Sequence, residues 1–259
     1  MKVVILCGGL GTRLREETEY RPKPMVNIGT RPILWHIMKI YSHFGYNDFV
    51  LCLGYKGNMI KEYFYNYEVL NSDFTIELGR RSDIKIHNSH DEDGWRITLA
   101  DTGEKALKGA RLKKIEKYID TDTFMVTYGD GLANININEL VNFHKKHGKI
   151  ATLTGILPPS RFGTFSLKDN VIKKFTEKPQ TVGDYVNGGF FVLEREIFDH
   201  MTHEDSCDFE IGVLDKLAEK GELMMFRHSK EWMCMDTVRD VEYLNNLWSS
   251  NQAFWKIWE

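Results

Sequence analysis

The sequence predicts an α/β fold, a mostly parallel mixed sheet with helices on both faces, and three observations carry that expectation. The runs Val3 to Cys7, Phe49 to Leu53 and Thr123 to Tyr128 are apolar almost throughout. A strand buried on both faces reads that way, whereas a half-solvated strand alternates. Segments with helical spacing separate the runs, as in a βαβ succession. A glycine-rich turn, Gly8-Gly9-Leu10-Gly11, follows the first run directly. Ligands of open α/β sheets bind at such carboxyl ends of strands.

The remaining elements follow in order. Pro32 suits the first turn of a helix whose face is Ile33, Ile37, Tyr41 and Phe44, with Gly45 to end it. Met59 to Tyr67 reads as a second helix, with short strands near Ile84–His87 and Trp95–Leu99. Arg111 to Ile119 reads as a third helix. Beyond it, Ile150 to Leu157, Thr164 to Leu167, Val171 to Phe175 and Gly189 to Leu193 look like strands. Asp208 to Lys220 reads as a helix closed by Gly221, and Val241 to Trp258 as an aromatic-rich helix. No repeat, low-complexity tract or linker interrupts the 259 residues, so one unit is expected.

Composition narrows the function. Hydrophobic residues make up 42% and charged residues 27%, enough for a sizeable core. The 34 Lys and Arg against 37 Asp and Glu give a net charge of −3, unlike a dedicated nucleic-acid binder. Cys7, Cys52, Cys207 and Cys234 show no CxxC spacing, so they read as buried free thiols of a reducing cytoplasm. The first apolar run is too short for a signal peptide, and none reaches the roughly 18 residues that span a membrane. His87, His90, Asp91 and Asp93 read as a solvated loop, and His144 to His147 as an exposed helix end capped by Gly148.

The chemistry gathers around the first turn. In Gly8-Gly9-Leu10-Gly11-Thr12-Arg13-Leu14, the glycines let backbone N–H groups approach an anion. The pattern is neither GxxxxGK[ST] nor GxGxxG, since Leu14 stands at the last glycine position. In Arg21-Pro22-Lys23-Pro24-Met25, prolines on both sides are expected to hold Lys23 in an extended segment. Arg13 and Lys23 beside a glycine turn make a clamp for several phosphates. The plain alternatives are a glycine turn without a ligand and a solvated lysine.

Those two motifs together resemble the signature of the sugar-1-phosphate nucleotidyltransferases, and the likeness covers nearly the whole chain. Arg15-Glu16-Glu17 stand where the family often has a proline. The resemblance implies the Rossmann-like nucleotide-diphospho-sugar transferase fold. It implies a nucleotide-binding half (1–130), a sugar-binding half (131–240) and a helical tail (241–259). It places Leu6, Gly8, Gly9, Gly11, Thr12, Arg13, Lys23, Glu104, Gly109 and Gly129 around the nucleotide. Arg13, Lys23 and Lys178 would be the catalytic cations. Gly163, Glu177, Lys178, Asn187 and Gly188 would hold the sugar phosphate.

Two aspartates complete the expectation. Asp130, in Tyr128-Gly129-Asp130-Gly131, ends an apolar strand and faces the binding crevice, where it reads as a metal ligand or an ordinary turn. Asp236 lies in the apolar run Trp232-Met233-Cys234-Met235 and needs a partner; N-capping the next helix is its other reading. In the family, matching aspartates hold one Mg²⁺, which suits one or two carboxylates plus phosphate oxygens. The stretch from Asp101 to Leu112 resembles the base loop of the cytidylyltransferase branch, with Glu104 where thymidylyl and uridylyl relatives tend to place Gln. A carboxylate accepts from the cytosine N4 amino group and repels the carbonyl of uracil or thymine. The resemblance thus implies CTP and glucose 1-phosphate as substrates, CDP-glucose as product for deoxysugar and O-antigen polysaccharide, and a homo-oligomer, a hexamer among its forms. UTP or dTTP in place of CTP, a non-catalytic nucleotide-sugar-binding subunit, and a scaffold using the C-terminal aromatics remain the alternatives.

Overall fold

The computed structural model describes residues 1–79, 84–88, 90–158, 164–168, 171–176 and 185–258. Gly163, Glu177 and Lys178 lie outside them.

Among the described residues, eight strands form the main sheet. They are β1 (Val3–Leu6), β2 (Asp48–Leu53), β3 (Arg96–Asp101), β4 (Thr123–Tyr128), β5 (Ala151–Ile156), β6 (Val186–Asn187), β7 (Phe191–Glu194) and β8 (Leu223–His228). Their order is β6-β5-β7-β4-β1-β2-β3, and β8 pairs with β5. β1 pairs in parallel with β2 (Val3 opposite Phe49) and with β4 (Val3 opposite Met125). β7 is antiparallel to β4 and to β5, which makes the sheet mixed. The central position of β1 explains its uninterrupted apolar run.

Alternate residues of β1 feed two cores. Val3 and Ile5 face helices α1 (Ile33–His43) and α2 (Gly57–Tyr65), joined by α4 (Ile137–His147) and α5 (Val238–Ser249). Val4 and Leu6 face α3 (Lys108–Ile115) and the segment from Phe209 to Leu217. Each such side chain, once fully buried, contributes about 1.5–3 kcal/mol. Burial on both faces is what a doubly covered sheet requires.

Several expectations need correction. Helix α3 begins at Lys108, not Arg111, because its first turn is tied to a distant loop: the Leu107 amide donates to Asp205 O (2.8 Å) and the Ala110 amide to Cys207 O (3.0 Å). The stretch 208–220 is not one helix. Gly212, at φ 112°, breaks it in a region that only glycine adopts freely, and a regular helix covers only Asp215–Glu219. The C-terminal helix ends at Ser249; Asn251 turns at φ 57°, and residues 252–258 fold back over α1. Leu244 and Trp255 are therefore core residues, and Trp255 is not on the helix.

His144 is buried rather than exposed. Its Nδ1 lies 2.8 Å from Thr152 Oγ1 and its Nε2 3.0 Å from Glu194 Oε1, while Gly148 caps the helix as expected. His90 is likewise held, 2.9 Å from Glu68, with its ring against Tyr67. All four cysteines are free; Cys7 and Cys52 are buried, whereas Cys207 and Cys234 are only half-buried.

Candidate active site

A cleft of about 550 Å³ opens at the carboxyl ends of β1 and β4. Leu6, Gly8, Gly9, Gly11, Thr12, Arg13, Lys23 and Gly129 line it, together with Asp130, Asp236, Asn187 and Gly188. The resemblance places all twelve around the nucleotide, the sugar phosphate or the metal. Gly11 turns the chain at φ 64°, and one 3-10 turn follows over Thr12–Leu14. This turn swings Arg13 toward the cleft. Gly8 has no room for a side chain, since a Cβ there would lie 2.1 Å from Arg111 Nη1.

Lys23 departs from its expected backbone. Pro22 is extended (φ −67°, ψ 148°), but Lys23 opens a single 3-10 turn over Lys23–Met25, closed by the Met25 amide on Pro22 O at 2.8 Å. Pro24 tolerates this because an amide in a first turn needs no helical partner. The turn buries the lysine stem and aims its ammonium inward. Nζ stands 2.6 Å from Asp130 Oδ2 and 2.6 Å from Asp236 Oδ1. Arg13 Nη1 is 2.6 Å from the other Asp236 oxygen, with its side chain 71% exposed.

A short ladder brings the two aspartates together. Gly131–Ala133 pairs antiparallel with Trp232–Cys234, Gly131 opposite Cys234, and the Met235 amide donates to Asp130 O at 2.9 Å. Asp236 is not a helix cap. Thr237 caps α5, and Asp240 Oδ2 accepts from the amides of Asp236 (2.9 Å) and Thr237 (2.8 Å).

The charges reinforce one another. Burial pulls the Lys23 ammonium down, but the charge of Asp130 and hydrogen bonds to both aspartates outweigh it, so its pKa is raised. Burial pushes the Asp236 carboxyl up, but the hydrogen bond and charge of Lys23 and the charge of Arg13 outweigh it, so its pKa is lowered. Donor atoms of Asp130, Cys234 and Asp236 lie within 4.8 Å of one another. Burial drives the Cys234 thiol far up, and a hard ion prefers the carboxylate oxygens beside it to a soft sulfur. Two carboxylates remain, with a cation-sized seat between them that Lys23 marks. That donor set fits a hard divalent ion.

At the cleft's other end, Arg111 is the residue that sequence reasoning missed. It is buried and donates to Leu53 O (3.1 Å), Thr102 Oγ1 (2.9 Å), Gly103 O (2.7 Å), Gly8 O (2.9 Å) and Glu104 O (3.1 Å). It thereby ties the glycine turn to the loop before α3. Burial lowers its pKa, yet a guanidinium stays charged in proteins. The structure fixes the Glu104 backbone but leaves its side chain exposed outside the cleft lining; Gly109 is buried just behind. Ala106, Leu107 and Lys108 form that wall.

On the remaining wall, Asn187 Nδ2 donates to Tyr128 Oη (2.8 Å), which donates to Glu210 Oε1 (2.6 Å). Lys108 also pairs with Glu210 and lies 5.2 Å above the Tyr128 ring. Trp232 Nε1 donates to Gly188 O at 2.8 Å. Tyr128 and Trp232 were legible by adjacency to the aspartate motifs. Glu210 carried no local signal.

A glycine turn at a strand end, facing a lysine that bridges two carboxylates, defines a site for phosphorylated ligands on an open α/β sheet. The nucleotidyl transferase family pattern matches residues 2–253, and the chain belongs to that family. It is 48% identical over 260 residues to the glucose-1-phosphate cytidylyltransferase of Salmonella typhimurium, covering 100% of both chains. It is 44% identical over 258 residues to the probable glucose-1-phosphate cytidylyltransferase of Bacillus subtilis, again covering 100% of both. Among solved structures, HddC from Yersinia pseudotuberculosis complexed with GMP-PN matches with a TM-score of 0.70 at 22% identity, covering 95% of this chain and 99% of that one. The inositol-1-phosphate CTP transferase from T. maritima matches with a TM-score of 0.67 at 16% identity, covering 100% and 97%. At those identities the two structures bear on the fold alone.

Proposed function

We propose that the chain transfers the cytidylyl group of CTP to α-D-glucose 1-phosphate, giving CDP-glucose and pyrophosphate. The observation that carries this reading is the convergence of Arg13 and Lys23 with Asp130 and Asp236 in one cleft, in a chain 48% identical end to end to a glucose-1-phosphate cytidylyltransferase. The product would supply deoxysugar synthesis for surface polysaccharide.

A phosphate oxygen of the sugar phosphate attacks the α-phosphorus, and pyrophosphate leaves in line. A phosphate monoester with a second pKa of about 6 is largely dianionic at neutral pH, so the attack needs no general base. The barrier is repulsion between two anions, which makes the task one of positioning and charge stabilisation. Arg13 and Lys23 hold the triphosphate and the departing pyrophosphate, and the glycine turn presents its amides. Lys178 draws in the sugar phosphate, and Glu177, Asn187, Gly163 and Gly188 orient the sugar. Asp130 and Asp236 would hold Mg²⁺, which when bound would neutralise phosphate charge.

We assign base reading to the loop that Arg111 fixes; the Glu104 carboxylate, which points outside the cleft lining, would accept from cytosine N4 once its side chain turns inward. The deciding experiment measures pyrophosphate release from four triphosphates with several sugar 1-phosphates. CTP with glucose 1-phosphate is expected to be fastest. Preference for UTP or dTTP would move the assignment to that branch, and no release with any pair would favour a non-catalytic subunit. The same reading expects a homo-oligomer. The hairpin of Phe74–Ile76 and Ile84–Ile86 exposes Phe74, Ile76, Leu78 and Ile84, an apolar patch that a subunit contact would cover. Mass in solution tests this. Among the described residues, no helix is long and apolar enough to cross a membrane.

A further inference from the structure

The seat between the two aspartates already holds a cation, and that cation belongs to the protein. Lys23 Nζ is 2.6 Å from Asp130 Oδ2 and 2.6 Å from Asp236 Oδ1, and Arg13 takes the second Asp236 oxygen at 2.6 Å. Three of the pair's four carboxylate oxygens therefore accept from side-chain cations. Two positive and two negative charges cancel locally.

A magnesium ion on the same oxygens would sit about 2.0–2.1 Å from them. An ammonium at 2.6 Å from both oxygens occupies that space. The two cations would also repel strongly at such range. One must leave for the other to settle. Lysine is suited to leave, because it is a point charge on a flexible four-carbon stem and needs no fixed fork geometry. Its backbone is pinned by Pro22 and Pro24, so the ammonium would swing without the chain moving. A triphosphate supplies the alternative partner, since its anionic oxygens would take up both Lys23 and Arg13. Among the described residues, both cations line the same cleft as the glycine turn that would present amides to those oxygens.

We propose that Lys23 is the resident cation of the metal seat, keeping divalent-ion affinity low until a triphosphate draws it away. This inference rests on the reading of Asp130 and Asp236 as the carboxylates that hold the metal. Ion and nucleotide are then coupled ligands. Whatever factor the triphosphate adds to the ion's affinity, the ion adds to the triphosphate's. In the free enzyme the metal seat stays neutral and does not trap a divalent ion in the absence of substrate. The lysine that steadies the empty site is the same lysine that meets the phosphates in the filled one.

The test is Mn²⁺ binding to the full-length protein, read by the electron paramagnetic resonance of free Mn²⁺ rather than by activity. Without nucleotide, wild type is expected to bind Mn²⁺ weakly, and Lys23→Met about 10-fold or more tightly, within the usual range of coupling between sites. Adding Asp236→Asn to Lys23→Met should abolish the gain. Should Lys23→Met not fold, as judged by circular dichroism, Lys23→Gln serves as the second variant. It keeps a hydrogen-bond donor while removing the charge, and the same tightening is expected. Mn²⁺ affinity equal to or below wild type in the folded lysine variant overturns the inference. The metal reading would survive that result if Asp236→Asn still weakened Mn²⁺ uptake by the CTP-loaded protein. If Asp236→Asn left that uptake unchanged, the metal reading would fall and this inference with it.

Discussion

Lys23 and His36 are both buried nitrogen bases, and the protein treats them in opposite ways. Lys23 keeps its charge, paired with two carboxylates at the edge of an open cleft. His36 is fully buried under the C-terminal tail and neutral, with burial pulling its pKa down to about 4. Ile28 O only accepts, so His36 Nε2 at 2.9 Å must carry the ring proton. The Trp255 indole only donates, so Nδ1 at 3.3 Å must be bare. Trp35, Trp248 and Trp255 stand edge-on around the ring at 5.0, 4.7 and 6.0 Å. The cleft relies on charges whose partners are exchangeable for phosphates. The tail relies on neutral hydrogen bonds and aromatic packing that have no solvent-borne substitute. Chemistry and stability are thereby assigned to different regions.

The sharpest way to break that division is to damage one region and read out the other. Trp255→Ala should cost about 3–5 kcal/mol in urea unfolding, as for other fully buried large side chains. Turnover per folded molecule, measured well below the melting temperature, should stay within a few-fold of wild type. Asp236→Asn should do the reverse. It should reduce turnover about 10²–10³-fold, the usual scale for losing one electrostatic group at a reacting phosphate or carbonyl. Its unfolding midpoint should move less than that of Trp255→Ala. Equal loss of turnover in both variants would show that the tail shapes the cleft and that the two regions are one.

The two regions also differed in how far they could be read from sequence. Gly8 to Leu14 and Lys23 were legible because the cleft is built at strand ends, where local motifs and the chemistry coincide. The convergence of Asp130 and Asp236 was an expectation from resemblance, and the ladder that causes it, Gly131 opposite Cys234, has no local signature. Arg111 was read as the start of a helix and as part of the base-loop stretch, but its anchoring role was not, since its carbonyl partners at Gly8 and Leu53 are distant in sequence. The tail was read as one continuous helix because its aromatics repeat at helical spacing. The turn at Asn251 that returns Trp255 to His36 is driven by tertiary packing. Gly212 breaks a pattern that is otherwise helical, which a lone glycine does not announce.

Acid separates the regions by pH window. Unfolded chain takes up a proton at His36 near pH 6.5, whereas the folded protein resists until about pH 4. The neutral form is the one that folding favours. Stability from this site is therefore complete above pH 6.5 and is lost as pH falls toward 4, about 3 kcal/mol in all at roughly 1.4 kcal/mol per pKa unit. Asp236 behaves in the opposite chemical sense but in the same direction of pH. Its lowered pKa adds stability above the ordinary carboxylate value of 3.8 that disappears only on further acidification. Urea midpoints measured from pH 7.5 to 4.5 should thus fall in wild type and fall less steeply in His36→Gln. Identical slopes would remove the titration of His36 from the account of the tail.

Helix α5 joins the two regions, with Asp236 just before its first turn and Trp248 in its last, and its cap gives the smallest expected effect. Thr237 Oγ1 accepts from the Asp240 amide at 3.3 Å, and Asp240 answers by accepting from the amides of Thr237 and Asp236. Thr237→Ala removes one half of this box and should cost about 1 kcal/mol of stability. It leaves the Asp236 amide bonded to Asp240, so turnover should hardly change. Asp240→Ala removes the bond that fixes Asp236 itself, and turnover should fall further than for Thr237→Ala at a similar loss of stability. If the threonine variant lost turnover as steeply as Asp236→Asn, helix fraying rather than charge would control the cleft. The separation between a region of exchangeable ions and a region of fixed neutral contacts would then fail at the element that connects them.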